Sequence, residues 1–260
     1  MRYKVLCGYI RQRWDCGDTV EIEEKHTGKY GAAGQVRQKR RKATPEEIKK
    51  HNQWKRERDV RRLIKWNFRE RDYWITLTYP KGYKPTWEEM KDHAGKLVRK
   101  TREKYKKQGW ILKYIYRLAI GARGGRHIHI LINREANEKT ATDLIITDLW
   151  EQQWGHGHVN FRTLYSEGGY RQLAVYLTKP LEKWESEELK RYHPSRNLIR
   201  KDSETEEVKR RSLFDRDGKP RPPKAPKGYY VDPESIETGK NPVTGYVYRH
   251  YTLVKIKKKE

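Results

Sequence analysis

The chain has 260 residues, of which 60 are Lys or Arg and 35 are Asp or Glu, a formal net charge of +25. That length accommodates one ordinary domain with extensions or two small ones, and a hydrophobic content of 34% leaves part of the chain outside any core. The basic excess disfavours acidic-surface roles and points to a polyanionic partner, nucleic acid first, while no stretch approaches the roughly 20 apolar residues of a membrane span.

Residues 1–40 read as irregular. Their stretch "HTGKYGAAGQVRQKRRK" is rich in glycine and basic residues, equally a solvated tail or a DNA-binding arm. Cys7 and Cys16 have a spacing that fits neither a zinc site nor a redox pair. With no apolar leader at the start, they suggest a reducing, cytoplasmic setting. "ATPEEIKKHNQWKRERDVRRLIKWNF" opens as a helix, with Thr44 as cap, Pro45 at the first position and Glu46 and Glu47 in the first turn.

"YWITLTYP" (73–80) is β-branched and aromatic and is stopped by proline: a strand. "TWEEMKDHAGKLVRKTREKYKKQG" has a Thr86 cap, acids early, bases late and a glycine stop: a helix. "WILKYIYRLAIG" (110–121) and "RHIHILIN" (126–133) are strands, joined through residues 121–125 as a hairpin. "TATDLIITDLWEQQWG" is a helix and "HVNFRTLY" a strand. "SEGGYRQLAVYLTKPLEKW" is a helix capped at Ser166 and Glu167 and broken near Pro180. From Tyr192 the chain turns polar, with "KPRPPKAPKG" as a linker and a late strand or hairpin in "TGYVYRHYTLVKIKKKE".

The order β-α-β-β-α-β-α is that of an α+β, ferredoxin-like or RRM-like split βαβ fold. It predicts an antiparallel sheet with helices on one face and the other face open to a ligand. The division that follows is a basic N-terminal extension with a helix (1–70), a central domain (71–190) and a basic C-terminal extension (191–260).

Strand alternation puts His127, His129, Leu131 and Asn133 on one face and Ile128, Ile130 and Ile132 on the other. The isoleucines face the core and the two imidazoles point together at the open face, close enough to chelate one ion. An HxH pair on a strand is more often structural, but its glycine-rich lead-in carries Arg123 and Arg126, where a nucleic-acid backbone can approach. Two imidazoles with oxygen ligands accept Mg²⁺ or Mn²⁺, and Mn²⁺ suits imidazole better. The second pair, His156 and His158, reads as a turn feature. In "LAVYLTKP", Tyr176 and Lys179 stand at i and i+3 on one helix face. A tyrosine hydroxyl can attack phosphorus and retain the strand covalently. A nearby lysine could lower the phenol pKa or neutralise the phosphate.

"ITLTYP", "HIHILIN" and "YLTK", in that order, resemble the rolling-circle replication initiators of the HUH endonuclease superfamily, above all the Rep proteins of bacterial plasmids, phages and integrative elements. The likeness spans about residues 73–182. It implies that Thr76, Thr78 and Tyr79 of the first motif help to read origin DNA, that His127 and His129 bind Mn²⁺ or Mg²⁺, and that Tyr176 is the nucleophile, followed by Lys179. Tyr170 is not at the spacing of the two-tyrosine initiators, which implies a single-tyrosine mechanism. Relatives usually carry a carboxylate ligand at the position of Ala119. A methyl group cannot bind metal. That leaves Asn133, Glu135 or water as the third ligand, a weak nuclease, or a glutamate deliberately removed.

The resemblance further implies single-stranded or origin-hairpin DNA as partner, with no membrane. Because the sequence has no GxxxxGK[ST], it also implies a separate helicase and a host polymerase. Three readings follow. The first is a nickase and ligase that starts rolling-circle replication. The second is an HUH-like nucleic-acid binder that is weak or inactive. The third is a transposase or relaxase using the same chemistry.

Overall fold

The computed structural model describes residues 8–27, 42–121, 123–165, 167–179, 191–215, 219–241 and 245–256. In chain order the elements are β1 (Tyr9–Asp15), β2 (Thr19–His26), α1 (Pro45–Asn67), β3 (Tyr73–Thr78), α2 (Trp87–Lys107), β4 (Tyr114–Ile120), β5 (Arg126–Ile132), α3 (Thr142–Thr147), β6 (Val159–Thr163), α4 (Arg171–Thr178), β7 (His193–Pro194), β8 (Glu204–Val208), α5 (Arg210–Leu213), β9 (Tyr229–Val231), β10 (Glu237–Lys240) and β11 (Val247–Lys255). They fall into two units. Met1–Asn52 and Arg200–Glu260 form one, and Gln53–Ile199 forms the other. This differs from the three-part division expected from the sequence, since both ends of the chain contribute to one unit and α1 is shared.

The unit spanning Gln53–Ile199 holds an antiparallel sheet in the order β6-β3-β5-β4-β7. Its first four strands follow the split βαβ order. The α+β architecture expected from the sequence is the one observed. Alternation explains the layering. Ile75 and Leu77 of β3, with Ile128, Ile130 and Ile132 of β5, are buried against α2 and α3. α2 starts at a capping box, in which the Glu89 amide donates to the Thr86 hydroxyl at 3.2 Å and the Thr86 amide donates to the Glu89 carboxylate at 2.6 Å. α3 continues as a wider π-helical turn over Asp148–Gln153.

The opposite face is not left open along its whole length, contrary to expectation. Val60, Leu63, Ile64 and Phe68 of α1 and its exit, with Ala174 and Leu177 of α4, bury Ile115 and Leu131 there. The reason is energetic. Ile115 and Leu131 share the histidine face, and leaving two such side chains in water would forgo about 2 kcal/mol each. α1 supplies the complementary stripe, so it is part of this fold and not only an extension.

The ends of the central elements also differ. β4 begins at Tyr114, not Trp110. α4 begins at Arg171 after a 3₁₀ turn, with Tyr170 at φ 62, so no cap at Ser166 starts it; Ser166 itself lies outside the described residues, as do residues 180–190, where the break near Pro180 was expected.

The turn before β6 fits the expectation for His156 and His158. Gly157 sits at φ 117, and a Cβ there would collide with the Thr78 carbonyl oxygen. Gly157→Ala is expected to lower the unfolding free energy by about 3 kcal/mol, combining backbone strain with overpacking. Urea denaturation measures this, and an alanine variant as stable as the parent would disprove the close approach.

In the other unit, β10-β11-β2-β1-β8 form a sheet, with β9 also pairing β11. Residues 9–26 were expected to be irregular, yet they form a hairpin. Val20 and Ile22 alternate inward and pack on Tyr251 and Leu253 of β11. Glu24 is buried there because Arg249 and Arg11 neutralise it, at 2.6 and 2.8 Å. The late strand expected near the C-terminus is β11. Cys16 is a buried free thiol, and Cys7 lies outside the described residues.

Candidate active site

The register across β3, β5 and β4 builds the site in rows. Thr78, His127 and Ala119 form one, and Thr76, His129 and Arg117 the next. Trp74, Leu131 and Ile115 complete the third. The two imidazoles stand 4.6 Å apart, centroid to centroid, and nearly perpendicular. The Tyr176 ring meets His129 edge-on at 4.9 Å and Trp74 at 5.7 Å, while Trp74 lies flat along His129 at 5.1 Å. Three residues singled out in the sequence, His127, His129 and Tyr176, are therefore brought together from two separate elements.

The histidines have the character of metal ligands. The His127 Nδ1 lies 3.2 Å from the Gly125 carbonyl, so it is the protonated nitrogen, and Nε2 keeps its lone pair. The His129 Nδ1 lies 3.1 Å from the Thr76 hydroxyl, an arrangement that fixes the ring in its plane. Such bonds to the second ring nitrogen are what orient ligating imidazoles. Burial lowers the His127 pKa, against a smaller opposing effect of the Gly125 carbonyl. Burial, then the neighbouring His127 and Arg117, push His129 down to about 3. Both rings are therefore neutral at physiological pH, the form that binds a metal.

No group of three His, Cys, Asp or Glu poised for a metal occurs among the described residues. Asn133 does not complete the pair. Its side-chain oxygen accepts from the Lys113 amide at 2.7 Å, and its nitrogen donates to the Ile111 carbonyl and to Glu135. It stands about 13 Å along the strand from His129, and Glu135 is tied to it. Ala119 instead lies directly across from His127 and is 7% exposed. Ala119→Glu is expected to tighten Mn²⁺ binding on the order of tenfold or more, the scale of changes in a ligand shell. The readout is the Mn²⁺-dependent rise in melting temperature relative to metal-free protein. An unchanged rise would show that no ion sits in this row.

The remaining residues singled out in the sequence are dispersed. Thr76 bonds His129 as described. The Thr78 hydroxyl donates to the His158 carbonyl at 3.0 Å. Tyr79 has the parity of Ile75 and Leu77, and its hydroxyl meets His93 at 3.1 Å while its ring packs on Trp150, so it belongs to the helix-covered side. Arg123 is exposed at the hairpin tip. Arg126 donates to the Pro85 carbonyl and lies over the Trp87 ring, which ties it to the loop before α2. Lys179 is not on the helix. It is the exposed residue just past the end of α4.

Two residues not singled out complete the constellation. One is Trp74, and the other is Arg117, which is 4% exposed. Arg117 donates to the carbonyls of Tyr176, Leu177 and Lys179 at 3.2, 3.1 and 2.8 Å. A cation at the carbonyl end of a helix is favourable, and this one fastens α4 to β4. Gln53 and Arg191 both donate to the Thr178 carbonyl at 3.1 Å, so the last turn is held from three sides. The signal for Arg117 was its charge in an otherwise apolar strand, at the parity of Ala119.

Residues 72–181 match the ORF2-type family of replication-associated proteins. The match runs from β3 through α4 and includes His127, His129, Tyr176 and Lys179, but less than half of the chain. It supports a replication-associated role for the segment that carries the site. No curated protein and no solved structure matches the chain. Among the described residues, no helix is long and apolar enough to cross a membrane.

Proposed function

We propose that the chain is a site-specific single-strand DNA endonuclease and ligase that initiates rolling-circle replication. The observation that carries this reading is the convergence of the Tyr176 ring on the His127–His129 pair, 4.9 Å from the nearer imidazole. In the proposed reaction the Tyr176 phenolic oxygen bonds to the scissile phosphorus as the bond from phosphorus to the 3′ oxygen breaks. The phenol gives up its proton and the leaving oxygen takes one. The products are a 5′-phosphotyrosine and a free 3′ hydroxyl for a host polymerase. The phosphotyrosine keeps the bond energy, so attack by a 3′ hydroxyl later rejoins the strand.

Each residue has a part. Trp74 and His129 hold the phenol ring between them. Arg117 fixes the helix that carries it. Lys179, past the end of α4, offers a cation to the DNA phosphate. His127 and His129 would hold Mn²⁺ or Mg²⁺, which would polarise the phosphoryl oxygen. Single-stranded or hairpin origin DNA is the substrate, and unwinding falls to a separate helicase.

A second reading, a weak or inactive DNA-binding relative, is favoured by Ala119 alone. One experiment separates them. The chain is incubated with single-stranded origin DNA and Mn²⁺, then run on a denaturing gel. A protein–DNA adduct that depends on the metal supports the enzyme. DNA binding without an adduct supports the second reading.

A further inference from the structure

The end of the sheet away from the histidines carries a cleft of about 440 Å³, lined by Glu70, Arg71, Arg134, Thr163, Leu164 and Tyr165. β3 starts beside it at Tyr73 and ends at Thr78, opposite His127, so the two sites lie roughly 17 Å apart along the strand. The volume is within the range of a small-ligand site.

Arg71 sits at φ 74, one of two non-glycine residues with positive φ among those described; the other, Tyr170, precedes the helix of Tyr176. Such conformations persist where the surroundings enforce them, and they gather at functional sites. Here the enforcement is visible. The Arg71 amide donates to the Leu164 carbonyl at 3.2 Å, and the Leu164 amide donates to the Asp72 carbonyl at 2.8 Å. The buried Asp72 carboxylate accepts from the amides of Arg69 and Arg134, at 2.7 and 2.9 Å. One carboxylate thus fixes the backbone at both arginine-bearing turns. The Arg134 guanidinium rests 5.1 Å from the centre of the Tyr73 ring. Tyr165 presents its ring to solvent, 72% exposed.

We propose that this cleft is a second contact for single-stranded DNA, holding one phosphate between Arg71 and Arg134 and stacking one base on Tyr165. Guanidinium forks match phosphate oxygens, and an exposed phenol ring is a stacking platform for any base. Glu70 leaves the cleft with a single net positive charge, which suits one phosphodiester and not a polyphosphate. The proposal rests on the reading that single-stranded DNA is the ligand of this chain, but not on the nicking chemistry.

The test is fluorescence anisotropy with the full chain and a labelled single-stranded oligonucleotide, across a salt series. Arg71→Gly removes the cation and suits the positive φ, so folding is preserved. Arg71→Gly, Arg134→Gln and Tyr165→Leu are each expected to weaken binding on the order of tenfold. Tyr165→Phe keeps the platform and should bind as the parent does. The Arg71→Gly/Arg134→Gln pair should lower the log–log salt slope by about 0.7, one phosphate contact. Parent-like affinity in the two arginine variants and in Tyr165→Leu overturns the proposal. Tyr165→Leu weakening a blunt duplex equally overturns the stacking. If the parent binds DNA and the variants bind weakly while no adduct ever forms, the subsite stands and the nicking function falls.

Discussion

Tyr176→Phe is expected to eliminate the covalent protein–DNA adduct while leaving fold and DNA affinity unchanged. The substitution removes one oxygen and nothing else. The ring contacts with His129 and Trp74 are made by the aromatic faces and edges that phenylalanine keeps. Tyr176 is only half-buried, and its neighbours Ala174 and Leu177 carry the packing of α4. Stability should change by no more than about 0.5 kcal/mol, the scale of benign substitutions. The rate of adduct formation should fall on the order of a thousandfold or more, as when a nucleophile is deleted. A gel-shifted band that survives denaturation in the phenylalanine variant would assign the nucleophile elsewhere, to Tyr170 or Tyr165.

Arg117→Met should reduce both stability and adduct formation, and the two losses can be told apart. Methionine fills much of the same space but leaves three carbonyls of the last helical turn without their donor. The expected loss is about 3 kcal/mol, the scale for buried acceptors left unsatisfied. If that were all, a variant kept well below its melting temperature would react as the parent does. We expect instead that it reacts about a hundredfold more slowly at saturating DNA, because small misplacements of a reacting group cost that much. Arg117→Lys, which keeps a charge but not the fork, should fall between. Parent-like rates in the folded methionine variant would reduce Arg117 to a purely structural role.

Much of the central sheet was legible because its signals are local. Alternation alone put His127 and His129 on one face and three isoleucines on the other, and Thr86 with Glu89 announced the start of α2. The same alternation, applied more strictly, would have moved Tyr79 to the helix-covered side with Ile75 and Leu77. The missed features depend on partners far along the chain. β2 has an alternating Val20 and Ile22, but its mate β11 lies more than two hundred residues away. Nothing local to α1 says that its stripe covers Leu131. Arg126 looked available for DNA because Pro85 and Trp87, its companions, belong to another loop. The 3₁₀ entry into α4 turns on Tyr170 adopting a left-handed conformation that a tyrosine rarely takes.

The pairing of β2 with β11 imposes an order on synthesis. Every strand of the five-stranded sheet has left the ribosome soon after residue 194 is made, whereas β2 must wait for residues 247–255 before its outer partner exists. At ordinary elongation rates that wait lasts on the order of ten seconds or more. During it the edge of β2 that β11 will cover, and the buried Glu24 that Arg249 will neutralise, are still open to other chains. The nascent protein therefore carries its histidine–tyrosine unit in a position to fold first, and the sheet built from its two ends is the part most in need of protection until translation ends.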